Sequence, residues 1–146
     1  MKKGLFFLLL AFMTMPVFSQ LNSLTLPSNL PTSEAVAAGD VLYISGWIGI
    51  DPATKTLVTA NFRAEVKQVM ENISKVLRQH DLSYSALVNV TVYLTDMDHY
   101  AEMNDVYRQY FATTYPARVC IAVKQLPLKA NIEISAIARL SSGQGR

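Results

Sequence analysis

Two hydrophobic periodicities alternate along the chain, and their order predicts its architecture. Glu34 to Ala38 and Val41 to Ile50 are largely apolar and flank Gly39-Asp40. A Gly-Asp pair between two such runs predicts a tight hairpin turn. The second run, VLYISGWIGI, is apolar at both parities, the pattern of a strand buried on both faces. Asp51-Pro52 ends it, and a loop runs to about Ala60. Beyond this loop the period lengthens. Phe62, Val66, Val69, Met70, Ile73, Val76 and Leu77 recur at steps of three and four, with Arg63, Glu65, Lys67, Gln68, Glu71, Lys75 and Arg78 on the other side. This predicts an amphipathic helix, capped by Asn61 and ending near His80.

A period of two returns at Val88, Val90, Val92 and Leu94, which predicts a strand to about Thr95. Asp96 or Asp98 then caps a second helix with the stripe Met103, Val106, Tyr107, Tyr110 and Phe111. Pro116 closes the following linker. Val119, Ile121 and Val123 mark another strand, which Leu126-Pro127 breaks, and Ile132, Ile134, Ala136, Ala138 and Leu140 form one face of the last. Leu24-Thr25-Leu26 predicts a short edge strand near the start. Two helices suffice to cover one face of such a sheet, yet several strands are apolar on both faces. The second face therefore needs other copies of the chain, and a homo-oligomer is expected.

The first residues change the picture by adding an address. Lys2 and Lys3 precede an apolar run from Gly4 to Phe18, broken by Thr14 and Pro16, and Val17-Phe18-Ser19 offers a small-residue cleavage site before Gln20. This is the grammar of a secretory signal peptide, and the run falls short of the roughly 18–20 apolar residues of a membrane span. Residues 1–19 are expected to be a signal peptide and residues 20–146 a single domain with its core at about 30–140. A periplasmic or secreted location, without a membrane anchor after cleavage, follows.

Thirteen Lys and Arg, less the two in the leader, balance eleven Asp and Glu, so the expected mature chain is neutral with its histidines uncharged. With no basic run, nucleic-acid binding has little support. Cys120 is the single cysteine, which excludes an internal disulfide. His80 and His99 lie apart, without a Cys or carboxylate at ligand spacing, so no metal site is expected. Phosphate-binding glycine motifs and HExxH are absent.

The candidate chemistry lies near the end. Arg118 stands where an apolar strand begins, and an arginine without free access to water seeks a carboxylate for its planar fork. A solvated strand-end arginine is the plain alternative. Glu133 opposes Ile132 and Ile134 in parity, either as a sheet-surface residue or as an acid/base group in a cleft between subunits. Asn104, at the margin of the second helix's stripe, can fix a helix end or point an amide at a ligand. Cys120 shares parity with Arg118 and reads as a small buried hydrophobe before it reads as a nucleophile.

Taken together, these segments resemble the RidA/YjgF family of reactive intermediate deaminases. The matching pieces are Ser33-Glu34-Ala35-Val36, Ala38-Gly39, Leu42 to Gly46, Ile50-Asp51-Pro52, Val90 to Met97, Met103 to Tyr107, Pro116 to Cys120, Leu126-Pro127 and Ile132 to Ala138. The resemblance implies a chorismate-mutase-like α+β fold, a mixed sheet with two helices on one face, assembled as a homotrimer around a central barrel. It implies hydrolysis of enamines and imines of 2-amino acids to 2-keto acids and ammonia, at clefts between subunits and without metal or organic cofactor. Arg118 would clamp the substrate carboxylate and Glu133 would orient water and move protons. Ser45, Gly46, Asn104, the Cys120 backbone and Thr32 would line the cleft. Thr32 stands where the family often has a tyrosine, Trp47 follows Ser45-Gly46 where a glutamine is usual, and Ser135 replaces a frequent second glutamate. Trp47 is thereby expected near the pocket or a subunit contact. A carboxylate- or keto-acid-binding module without turnover is the alternative function.

Overall fold

The computed structural model describes residues 31–140. The leader, the Leu24–Leu26 segment and the tail after Leu140 lie outside the described residues. The elements are β1 (Ala35–Ala38), β2 (Val41–Ile48), α1 (Phe62–Gln79), β3 (Leu87–Leu94), α2 (Tyr100–Tyr107), β4 (Ala117–Ala122) and β5 (Ile132–Arg139). They form one mixed sheet in the order β1-β2-β5-β3-β4, antiparallel except for β3 with β4. A parallel pair needs a crossover, and α2 supplies it.

Local chemistry explains the boundaries. Ala38 pairs with Val41, so Gly39-Asp40 is a two-residue turn, and Gly39 takes the left-handed φ of 62° that such a turn asks of its first residue. Asn61 caps α1 by accepting from the Ala64 amide at 2.8 Å. Asp96 performs the second cap: its carboxylate accepts from the Asp98 amide at 2.9 Å and starts a 3-10 turn, Met97–His99, that runs into α2. That helix is shorter than its stripe. Tyr110 and Phe111 follow it and still pack against the core.

The core lies between the helices and one sheet face. Leu42, Ile44 and Trp47 of β2, Val90, Val92 and Leu94 of β3, and Ile132, Ile134, Ala136 and Ala138 of β5 meet the α1 stripe and Met103, Val106 and Tyr107 of α2. The other face is open. Tyr43, Val119 and Ile121 remain 49%, 47% and 43% exposed, and β2 is covered on this face only at its Ile48 end, by Ile50, Ala130, Leu57 and Leu126. The two-face pattern therefore describes more apolar surface than the chain itself buries. Trp47 departs from expectation: it pairs with Ile134, points into the core and is buried, away from the pocket described below.

Two polar residues on α1 are buried as well. Glu65, expected on the wet side, is 2% exposed, and its two oxygens accept from the Asn131 amide and side-chain Nδ2, each at 2.8 Å. Asn72 donates to the Ile48 and Ile50 carbonyls at 3.1 and 2.9 Å. Both satisfy backbone groups where β2 ends and β5 begins, and there the hydrogen bonds outweigh the helix-side pattern.

Candidate active site

Arg118 sits on β4 opposite Val90 of β3, so its side chain leaves the sheet on the helix-covered face, at the edge strand, beneath α2. There it is half-buried and held from three directions. One terminal nitrogen donates to Asn104 Oδ1 at 2.7 Å, the other approaches Met103 Sδ at 3.7 Å, and the guanidinium carbon stands 4.7 Å from the Tyr107 ring centre. Among the described residues no carboxylate pairs with it. A guanidinium oriented by an amide and an aromatic face, with its charge unmatched, is a receptor for a planar anion. The adjoining cavity has a volume of about 240 Å³ and is lined by Asn104, Tyr107, Arg108, Tyr115, Pro116 and Arg118. It is smaller than the roughly 300–1,000 Å³ of sites for drug-sized ligands, and suits a small acid.

Cys120 lies two residues along β4 on the same face and packs against the core. Burial pushes its thiol up from the usual value, against a smaller opposing pull from Arg118. The thiol stays protonated near neutrality, which fits a small hydrophobe and not a nucleophile. The Tyr107 hydroxyl is buried without a hydrogen-bond partner among the described residues, and burial pushes its pKa up to about 12.

Glu133 occupies the other face. It pairs with Tyr93 and Ile48, between the buried Ile132 and Ile134. Its carboxyl lies against Gly46, where a Cβ would come within 1.9 Å of Glu133 Oε1. Ser45 and Gly46 make this approach possible as a β-bulge, two residues opposing Ser135 alone. The Ser45 hydroxyl donates to the Ser33 carbonyl at 2.6 Å, which ties the segment carrying Thr32 to this end of β2. Thr32 itself is exposed, with its hydroxyl directed at the Ser33 carbonyl, 3.4 Å away. Burial raises the Glu133 carboxyl above its usual 4.5.

The candidate residues thus fall into two groups. Arg118, Asn104 and Cys120 gather on the helix-covered side of β4. Glu133, Gly46 and Ser45 gather on the open side of β5 and β2, and Thr32 is linked to them only through the Ser33 carbonyl. One chain does not bring Arg118 and Glu133 together, because they leave the sheet on opposite faces. Sequence reasoning missed Tyr107 as the platform for Arg118, reading it only as core, and it missed Arg108 in the cavity wall. The signal for both is the helix period: Asn104, Tyr107 and Arg108 lie three and four residues apart, on one face. The histidines take other places, with the His99 ring stacked on Phe62 at 4.1 Å.

Comparison with known proteins shows the family. The family described as Endoribonuclease L-PSP matches residues 25–140. The chain is 44% identical to a RutC family protein of Pyrococcus horikoshii over 108 residues, 74% of this chain and 86% of that one. It is 40% identical to the 2-iminobutanoate/2-iminopropanoate deaminase of Bos taurus, again over 74% of this chain and 79% of that protein. The crystal structure of E. coli TdcF with bound serine superposes with a TM-score of 0.73 at 32% identity, covering 76% of this chain and 89% of that one. In fold and in sequence, the chain belongs to the Endoribonuclease L-PSP family, the RidA/YjgF family that its motifs resemble.

Proposed function

We propose that this protein hydrolyses 2-imino acids, and their enamine tautomers, to 2-keto acids and ammonia. The observation that carries the reading is Arg118: an oriented, half-buried guanidinium without a carboxylate partner, opening on a small cavity. The name of the bovine relative and the serine bound to TdcF, itself a small carboxylate, support it. Arg118 takes the substrate carboxylate in a bidentate grip and Asn104 holds Arg118 in place. Glu133 supplies the proton transfers, and burial raises its carboxyl above the usual value. As base it draws a proton from water while the oxygen adds to the imine carbon. As acid it gives that proton to the nitrogen, which completes the carbinolamine; a second transfer through the same carboxyl moves the hydroxyl proton to the nitrogen as the C–N bond breaks and the C=O bond forms. One water is consumed and one ammonia released. The step draws on no metal or organic cofactor.

Because the two groups sit on opposite faces of one sheet, the reading requires Glu133, Gly46, Ser45 and Thr32 of one copy to face Arg118 and Asn104 of the next. A homotrimer closed on its open sheet faces, with three clefts, meets that need and covers Tyr43, Val119 and Ile121. Residues 1–19 act as a cleaved export signal in this proposal. Recovery of the protein from the cytosol with its leader intact would contradict that part.

An imine-trapping assay tests the function. An amino-acid oxidase generates the imine, and semicarbazide competes to capture it. Less trapped product with the protein present, and no such effect with Arg118→Ala, is the expected result. Keto acids that raise the melting temperature without any turnover would instead make the site a binding module.

A further inference from the structure

Two of the six residues lining the cavity are arginines and none is an acid. A single residue seats both guanidinium groups. Asn104 Oδ1 accepts from Arg118 at 2.7 Å, and its backbone carbonyl accepts from Arg108 Nε at 3.1 Å. The only counter-charge on Arg108 among the described residues is Asp105 at 3.2 Å, with the two side chains 61% and 56% exposed. A pair so exposed contributes little and gives way readily. Asp105 also stands outside the cavity wall. The small space is therefore faced by two positive charges, one fixed over the Tyr107 ring and one at the mouth. A monoanion satisfies the first and leaves the second unmatched.

We infer that the preferred substrates are 2-imino dicarboxylic acids, with Arg118 on the carboxylate next to the imine carbon and Arg108 on the side-chain carboxylate. The inference rests on the deaminase reading above and narrows its substrate class from 2-imino acids in general to those with an acidic side chain. Its chemistry is the same hydrolysis, and Arg108 takes no part in proton transfer. The order of burial sets the orientation. Arg118, half-buried and oriented, holds the reacting end, while Arg108 meets the side chain where solvent enters.

The test compares 2-iminoglutarate with 2-iminobutanoate in the trapping assay, and 2-oxoglutarate with 2-oxobutanoate in calorimetric titration, for the full-length protein and for Arg108→Gln and Arg108→Glu. Arg108 is exposed, so both variants are expected to fold, and their melting temperatures check this. The expected result is tighter binding and faster hydrolysis of the dicarboxylates. Their advantage over the monocarboxylates should fall about tenfold or more in Arg108→Gln, the scale of one charge-assisted hydrogen bond, and reverse in Arg108→Glu. That advantage should also fall steeply with salt. Equal treatment of both classes by the unmodified protein, or an unchanged ratio in Arg108→Gln, would overturn the inference and leave the deaminase reading standing. Hydrolysis of neither imine, with no binding of either keto acid, would overturn both.

Discussion

Arg118 keeps a permanent charge half-buried on one amide oxygen, one sulfur and one ring. Truncating one member of a buried charged contact with a ligand costs about 2–5 kcal/mol. Arg118→Ala should therefore lower kcat/KM by roughly two to three orders of magnitude, mostly through KM, in steady-state assays. Glu133 gives a second prediction, with a definite sign. Its folded carboxyl binds its proton more tightly than the unfolded one, because burial disfavours the charged form. Its contribution to stability is full below the usual 4.5 and is lost as pH rises through the higher folded value. Glu133→Gln should melt above the unmodified protein at pH 7, and the gap should close when the melt is repeated below the unfolded value. The same variant should lose turnover by about 10²- to 10⁴-fold, the range for a missing acid/base group. Gly46 adds a third. The atoms in its way belong to the far end of the Glu133 side chain, which can move. Gly46→Ala should thus leave the melting temperature nearly unchanged while displacing the carboxyl and cutting kcat.

At the scale of elements, buried polar side chains hold the strand that carries Glu133. Glu65 on α1 fixes Asn131, two residues before Glu133, through two hydrogen bonds, and Gly49 gives Glu65 its room. A Cβ at Gly49 would meet the Glu65 backbone carbonyl at 2.9 Å, and backbone cannot step aside as the Glu133 carboxyl can. Gly49→Ala should cost about 1–3 kcal/mol, seen as a clear fall in melting temperature where Gly46→Ala shows little. The contrast also marks what the sequence revealed. Hairpin, helices and strands were legible because their apolar periods are long and their caps, Asn61 and Asp96, are good ones. Parity placed Arg118 with Cys120, and Glu133 against Ile132 and Ile134. The Glu65 role was not legible. A glutamate flanked by basic residues on a helix reads as a solvated face, and only the return of Asn131, 66 residues later, buries it. Trp47 was misplaced because the bulge at Ser45-Gly46 shifts the register by one residue, and one residue is the difference between faces.

For the whole molecule, the decisive feature is the uncovered sheet face. Tyr43, Val119 and Ile121 stand exposed on it, and the proposed assembly covers them. Light scattering should report a trimer, and Ile121→Asp should dissociate it by burying an unpaired charge. The same face carries Glu133 while the opposite one carries Arg118, so the proposed reading links assembly to chemistry: in it, a lone chain holds two incomplete half-sites. The most direct measurement is subunit complementation. Inactive Arg118→Ala and Glu133→Ala chains are co-expressed, and the mixed oligomers are assayed for imine hydrolysis. A site shared between chains predicts that activity returns in the mixture, since some clefts then pair an intact Arg118 with an intact Glu133. Mixed oligomers as inactive as either parent would contradict a two-chain site.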